Sequence, residues 1–274
     1  MAKRLLLTVI ISLLFVSACS GAASQSGSSP SDTSEGETLT IFAAASLTDV
    51  FSEIGERFEA KNPGSKVVFN FAGSQQLAQQ LAQGAPADIF ASANQKQMQT
   101  AIEAGRVDEN DPLVMTVNQI AVVYPADNPA GIRRLSDLAR PGIRLVLGAE
   151  EVPVGDYSLE FLEKASQDPA FGSDYKEDVL NNVVSYELNV RAVLNKVILG
   201  EADAGIVYIS DVNDLESAEI GGLLIPDQLN VSASYFIAPT SDSKQSELAE
   251  AFISFVISTE VQDILVTYGF KAVY

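Results

Sequence analysis

Histidine is absent from the chain, and cysteine occurs once in its 274 residues. Without imidazole there is no His-ligated metal site, no Ser-His-Asp triad and no Cys-His dyad. A single thiol makes no intrachain disulfide and no thiolate metal cluster. Basic residues are few: 17 Lys and Arg stand against 36 Asp and Glu, a formal net charge of −19. That balance argues against nucleic acid and against an anionic membrane surface as partners, because both recruit basic patches. It also means that an anion would have to be held by local dipoles against a repulsive overall field. Neither G-x-x-x-x-G-K nor G-x-S-x-G occurs. Ser173-Asp174-Tyr175-Lys176 fits S-x-x-K, but no K-T-G follows and the segment reads as a polar loop, so the match is taken as chance.

What is present is apolar and periodic. Apolar residues make up 47% and charged residues 19% of the chain, enough for a sizeable core. A basic start at Lys3-Arg4, an apolar stretch over 5–16 too short to span a bilayer, and small residues before Cys19 predict a secretory signal over 1–18. The only cysteine sits at the expected cleavage point, as in a bacterial lipobox, so Cys19 is expected to carry a lipid. Residues 19–38 are rich in Ser, Gly and Ala with no core positions, which predicts a flexible tether.

The body alternates strands and helices. A strand over 38–41 leads through small residues to Ser46. Leu47, Val50, Phe51, Ile54 and Phe58 then share one helix face. This predicts strand, small turn and helix, with Ser46 at the N-cap and Asp49 in a capping-box position. Similar turns open helices at Ser74, at Val154-Gly155 behind Pro153, and at Val190 behind the cap Asn189. Further strands are expected at 67–71, 88–91, 119–124, 145–147, 183–185, 204–209 and 235–238, and further helices at 95–104, 248–256 and 261–268. Such alternation means an α/β fold with mainly parallel sheets flanked by helices. Helix N-termini offer unpaired N–H groups and partial positive charge, and in such folds they gather where strands end. Four such turns, two with hydroxyls, suggest an anion pocket. The plainer readings are that Ser46 only caps its helix and that Arg191 is an exposed helix-face residue. Tyr208 reads equally as a strand-end hydroxyl aimed into a cleft or as a core aromatic. Glu150-Glu151 reads as solvated.

Several segments together resemble one family. They are Phe42-Ala43-Ala44-Ala45-Ser46-Leu47-Thr48-Asp49, Phe71-Ala72-Gly73-Ser74, Gly84-Ala85-Pro86-Ala87-Asp88-Ile89-Phe90, Val152-Pro153-Val154-Gly155-Asp156-Tyr157, Asn189-Val190-Arg191, Asp203-Ala204-Gly205-Ile206-Val207-Tyr208 and Tyr268-Gly269-Phe270. Their order and spacing resemble the periplasmic molybdate-binding proteins of ABC-type uptake systems (ModA-like), over about residues 39–274. The resemblance implies the two-lobed class II periplasmic binding protein fold with a cleft between lobes. One lobe would hold 39–119 and 233–274, the other 120–232. It implies an oxyanion held by the Ser46, Ser74 and Tyr208 hydroxyls and the Val154 and Val190 amides. Molybdenum would be bound only as molybdate, with tungstate captured as well, and without a direct protein–metal ligand or a cofactor. Two departures from the family pattern are Val154, where many relatives carry Ala, and Asp156, where relatives often carry an apolar or basic residue.

The function implied is a non-enzymatic, substrate-capturing component of an importer. It would be secreted across the cytoplasmic membrane, lipid-anchored at the periplasmic or cell surface, and monomeric. It would deliver its anion to an ABC permease and ATPase. Alternatives are a receptor for another oxyanion such as sulfate, a sensor domain of the same fold, and a cell-surface hydrolase using Ser46 or Ser74. The missing histidine and the lack of a Ser-Lys pair with its partners argue against the hydrolase.

Overall fold

A computed structural model of the protein describes residues 37–212 and 219–274. The expected signal over 1–18, Cys19 and nearly all of the tether lie outside the described residues. Thr38 opens the first strand, where the expected strand over 38–41 begins.

Two five-stranded sheets, each flanked by helices, make the body. The first contains β1 (Thr38–Ala44), β2 (Lys66–Ala72), β3 (Ile89–Ser92), β4 (Leu113–Asn118) and β10 (Ala233–Pro239), in the order β2-β1-β3-β10-β4. The second contains β5 (Ile120–Pro125), β6 (Leu145–Gly148), β7 (Val183–Glu187), β8 (Ala204–Tyr208) and β9 (Ile220–Leu224), in the order β7-β6-β8-β5-β9. β1 pairs parallel with both β2 and β3, and β6 with both β7 and β8. β10 runs antiparallel to β3 and β4, and β5 to β8 and β9. Each sheet is therefore mixed: four strands share a direction and one runs against them. The reversed strands are those that follow each passage between sheets. Gln119 alone separates β4 from β5, and residues 225–232 lead from β9 to β10.

The helices pack as their periodicity requires. α1 (Thr48–Lys61) buries Val50, Phe51, Ile54 and Phe58 against the first sheet. Phe51 and Phe58 both meet the ring of Phe252 edge-on, from α7 (Ser246–Ile257). α8 (Thr259–Thr267) follows α7 directly. On the second sheet, α6 (Val190–Ile198) buries Val190, Val193, Leu194 and Val197. α4 (Pro153–Gln167) buries Val154, Phe161, Leu162 and Ala165. α2 (Ser74–Ala82) and α3 (Gln95–Glu103) bury a smaller cluster around Leu77, Leu81, Phe90 and Met98.

Sequence reasoning missed β4, β9 and one helix. The polar loop expected around residues 173–176 runs into α5 (Tyr175–Asn181). Tyr175 is buried there and donates to the Leu135 carbonyl at 2.7 Å, while Lys176 pairs with Glu163 at 2.9 Å. The S-x-x-K residues thus serve helix packing and a surface ion pair.

Candidate oxyanion site

Four helix N-termini point toward the space between the two sheets. At the end of β1 the chain tightens into a 3-10 turn over Ala45–Leu47 before α1 begins. This corrects the expected cap. Ser46 lies inside that turn, the N-cap position falls on Leu47, and no side chain caps α1. The Ser46 hydroxyl instead meets the Tyr235 hydroxyl at 2.8 Å. Asp49, expected in a capping box, reaches the Arg191 guanidinium at 2.5 Å.

The second terminus follows β2. Gly73 is the extended N-cap of α2, and Ser74 is its first helical residue. Ser74 Oγ accepts from the Ala93 N–H at 3.0 Å. A Cβ on Gly73 would stand 2.3 Å from the Leu188 carbonyl across the cleft, so only glycine permits this approach. The third terminus is that of α4. Pro153 takes the first position, where its missing N–H costs nothing, and Val154 is the next residue. Gly155 lets this turn press on the loop after β6, since a Cβ would sit 2.0 Å from the Ala149 carbonyl. The fourth is α6, where Asn189 caps as expected and accepts from the Ala192 N–H at 3.0 Å. Val190, the first helical residue, has no intrahelical acceptor for its N–H.

Tyr208 closes β8, and its side chain is buried. Its ring is held edge-on between Tyr157, at 6.4 Å, and Tyr235, at 5.7 Å. Its hydroxyl is buried without a hydrogen-bond partner among the described residues. Burial pushes the phenol well above its ordinary pKa, so it stays protonated and able to donate.

Ser46, Ser74, Val154, Val190 and Tyr208 all line one cavity between the sheets. The cavity is small, about 10 Å³. That is about the space one water takes, which excludes an extended metabolite. None of the residues lining it is charged. The site thus offers hydroxyl protons, free helix-start amides and converging dipoles, and no cation. A compact anion suits such a set of donors. Asp156, partly exposed, is not among the lining residues.

Contacts across the cleft hold the two sides together. Gln75 Nε2 donates to the Leu188 carbonyl at 2.7 Å, and Gln97 Nε2 to the Glu151 carbonyl at 3.0 Å. The Tyr157 hydroxyl donates to the Ala93 carbonyl at 3.3 Å. Arg191, expected to be a plain surface residue, spans the cleft. It joins Asp49 of α1 and also lies 3.1 Å from the carboxylate of Asp211, whose side chain is fully buried. Burial pushes the Asp211 carboxyl up to about 6, against the pull of Arg191 and of the Tyr208 N–H at 3.2 Å. The sequence signal for this bridge was slight: an arginine one residue into a helix whose start already looked functional. Among the described residues, no group of three His, Cys, Asp or Glu side chains could hold a metal ion. No described helix is long and apolar enough to cross a membrane.

Comparison with known proteins fits this geometry. The family model for bacterial extracellular solute-binding proteins matches residues 39–271. The chain is 38% identical over 265 residues to the molybdate-binding protein ModA of Mycobacterium tuberculosis, covering 96% of each chain. It is 30% identical to the putative ABC transporter substrate-binding lipoprotein YvgL of Bacillus subtilis, over 97% of this chain and 96% of that one. Among solved structures it resembles the substrate-binding domain of a putative molybdenum ABC transporter from Clostridium difficile. The TM-score is 0.63 with 28% identity, over 86% of this chain and 99% of that one.

Proposed function

The chain belongs to the bacterial extracellular solute-binding proteins, and from that premise we propose that it captures molybdate, and tungstate with it, for an ABC importer. The observation that carries this reading is the uncharged cavity on which three hydroxyls and two helix-start amides converge. A tetrahedral dianion has four oxygens that only accept. Neutral donors can replace its hydration shell without a counter-charge, because helix dipoles supply partial positive charge at the point of contact. Ser46, Ser74 and Tyr208 give hydroxyl protons, and Val154 and Val190 give amides. Molybdenum is then held only through its oxygens, with no cofactor.

Residues 39–119 and 233–274 act as one lobe and 120–232 as the other, hinged where the chain passes between sheets. The anion enters with the lobes apart and is enclosed as they rotate together. The bonds from Gln75, Gln97, Tyr157 and Arg191 secure the closed form, which docks on a permease driven by an ATPase. The protein acts as a monomer and performs no chemistry of its own. Similarity to a protein named as a substrate-binding lipoprotein supports Cys19 as the anchor. Cys19→Ala should release the protein from membranes; a wild-type chain found unlipidated and free would refute the anchor. Calorimetry of the body with molybdate, tungstate, sulfate and phosphate tests the main reading. Molybdate and tungstate should bind far more tightly than sulfate, because a fixed cage selects by anion size. Phosphate should bind worst, because its proton finds no acceptor. Sulfate binding as tightly as molybdate would overturn the assignment.

A further inference from the structure

The two serines of the cavity differ in how their oxygens are occupied. Ser74 Oγ accepts from the Ala93 N–H at 3.0 Å, and a backbone amide can only donate. The single proton of Ser74 is therefore left for the cavity. Ser46 has no such amide. Its buried neighbour is the Tyr235 hydroxyl at 2.8 Å, and between two hydroxyls either can donate. If Ser46 donated to Tyr235, it would turn lone pairs toward the anion and repel it. If Tyr235 donates, Ser46 is left in the same state as Ser74.

The surroundings of Tyr235 favour the second arrangement. Its ring is wedged edge-on between Tyr208, at 5.7 Å, and Phe270, at 5.5 Å. A register irregularity in the β10–β4 pairing falls between Tyr235 and Phe236; such bulges re-aim a side chain out of the regular alternation. Ser46 Oγ is the one hydrogen-bond partner of the Tyr235 hydroxyl among the described residues. The buried phenol proton therefore has Ser46 Oγ as its acceptor, whereas the Ser46 proton can turn to the cavity that Ser46 lines. Tyr235 itself does not line the cavity.

We propose that Tyr235 is a positioning residue: its hydroxyl donates to Ser46 Oγ and so commits the Ser46 proton to the bound oxyanion. This rests on the reading of the cavity as an oxyanion site. A directional relay then runs from Tyr235 through Ser46 to the ligand. Each bond in such a relay polarises the next.

A double-mutant cycle read by molybdate calorimetry tests this, with Tyr235→Phe, Ser46→Ala and the double variant against wild type. Tyr235→Phe deletes one oxygen and keeps the ring packing. In the wild-type background it should weaken molybdate binding about three- to tenfold, the cost of losing a preset donor. In the Ser46→Ala background it should change affinity by less than about twofold, because the hydroxyl it orients is gone. Equal losses in both backgrounds, or no loss in either, would overturn the role of Tyr235 and leave the oxyanion reading standing. A wild-type protein that binds no molybdate would instead sink the oxyanion reading, and this role with it. Melting temperatures of the variants separate loss of fold from loss of binding.

Discussion

The two lobes furnish the cavity with different kinds of group. The first brings side-chain hydroxyls, Ser46 and Ser74, each steadied by a partner of its own lobe. The second brings the amides of Val154 and Val190 and the hydroxyl of Tyr208, which has no partner among the described residues. A hydroxyl turns about its C–O bond and must be oriented by something else. An amide at a helix start is oriented by the backbone itself. The serines of the first lobe therefore need a supporting layer behind them, and the amides of the second need only correct helix entry.

This contrast can be broken most severely from the first side. Ser46→Ala together with Ser74→Ala should weaken molybdate binding about a hundred- to ten-thousandfold, at about 1.5–3 kcal/mol for each bond to a charged group. A loss under tenfold in calorimetry would show that the second lobe carries the anion alone. The two amides of the second lobe are immune to side-chain deletion and yield only to proline. Asn189 already holds the extended conformation that a following proline requires, with φ −162° and ψ 165°. Val190→Pro should keep the fold yet remove one donor, for a loss of about ten- to a hundredfold. Val190→Ala keeps the N–H and should bind almost normally. Equal affinities in the two variants would remove this helix start from the site.

The smallest effect concerns the buried charge of the second lobe. Asp211 titrates near 6 in the folded protein and near 3.8 unfolded. A folded pKa above the unfolded one means that stability from this group is fully present below about 3.8 and lost as pH rises through about 6. Lowering pH from 7 to 5 should therefore stabilise the wild type through this residue, on the order of 1 kcal/mol. Asp211→Asn should lack that increment. Identical denaturation midpoints at the two pH values for wild type, with the same flat response in Asp211→Asn, would mean that Arg191 fully compensates the buried charge.

Much of the site was legible because its signals were local. Four strand-to-helix turns, a cap at Asn189 and a tyrosine ending an apolar strand need only a few neighbouring residues each. The strands that stayed hidden lacked such signals. β9 carries Gly221-Gly222 in its middle, which breaks the apolar pattern, and β4 exposes Leu113 and Val114 at its start. What could not be read locally were the partners set by the tertiary fold. Ser46 looked like a cap, yet its hydroxyl answers to Tyr235, 189 residues away. Arg191 looked like surface because its two carboxylates come from α1 and from the turn after β8.

The strand order of the first sheet also has a consequence in time. β10 sits between β3 and β4, yet its residues follow the whole of the second sheet in the chain. Until residues 233–239 arrive, the first sheet is three strands and a stray fourth. The second sheet draws all its strands from the continuous stretch between Ile120 and Leu224. A chain that emerges N-terminus first thus holds every strand of its later lobe before it can finish the earlier one. Pulse-labelled hydrogen exchange during refolding should protect β8 before β3, and the reverse order would show that β1, β2 and β3 stand on their own. The lobe that starts the sequence is the one that waits to be completed.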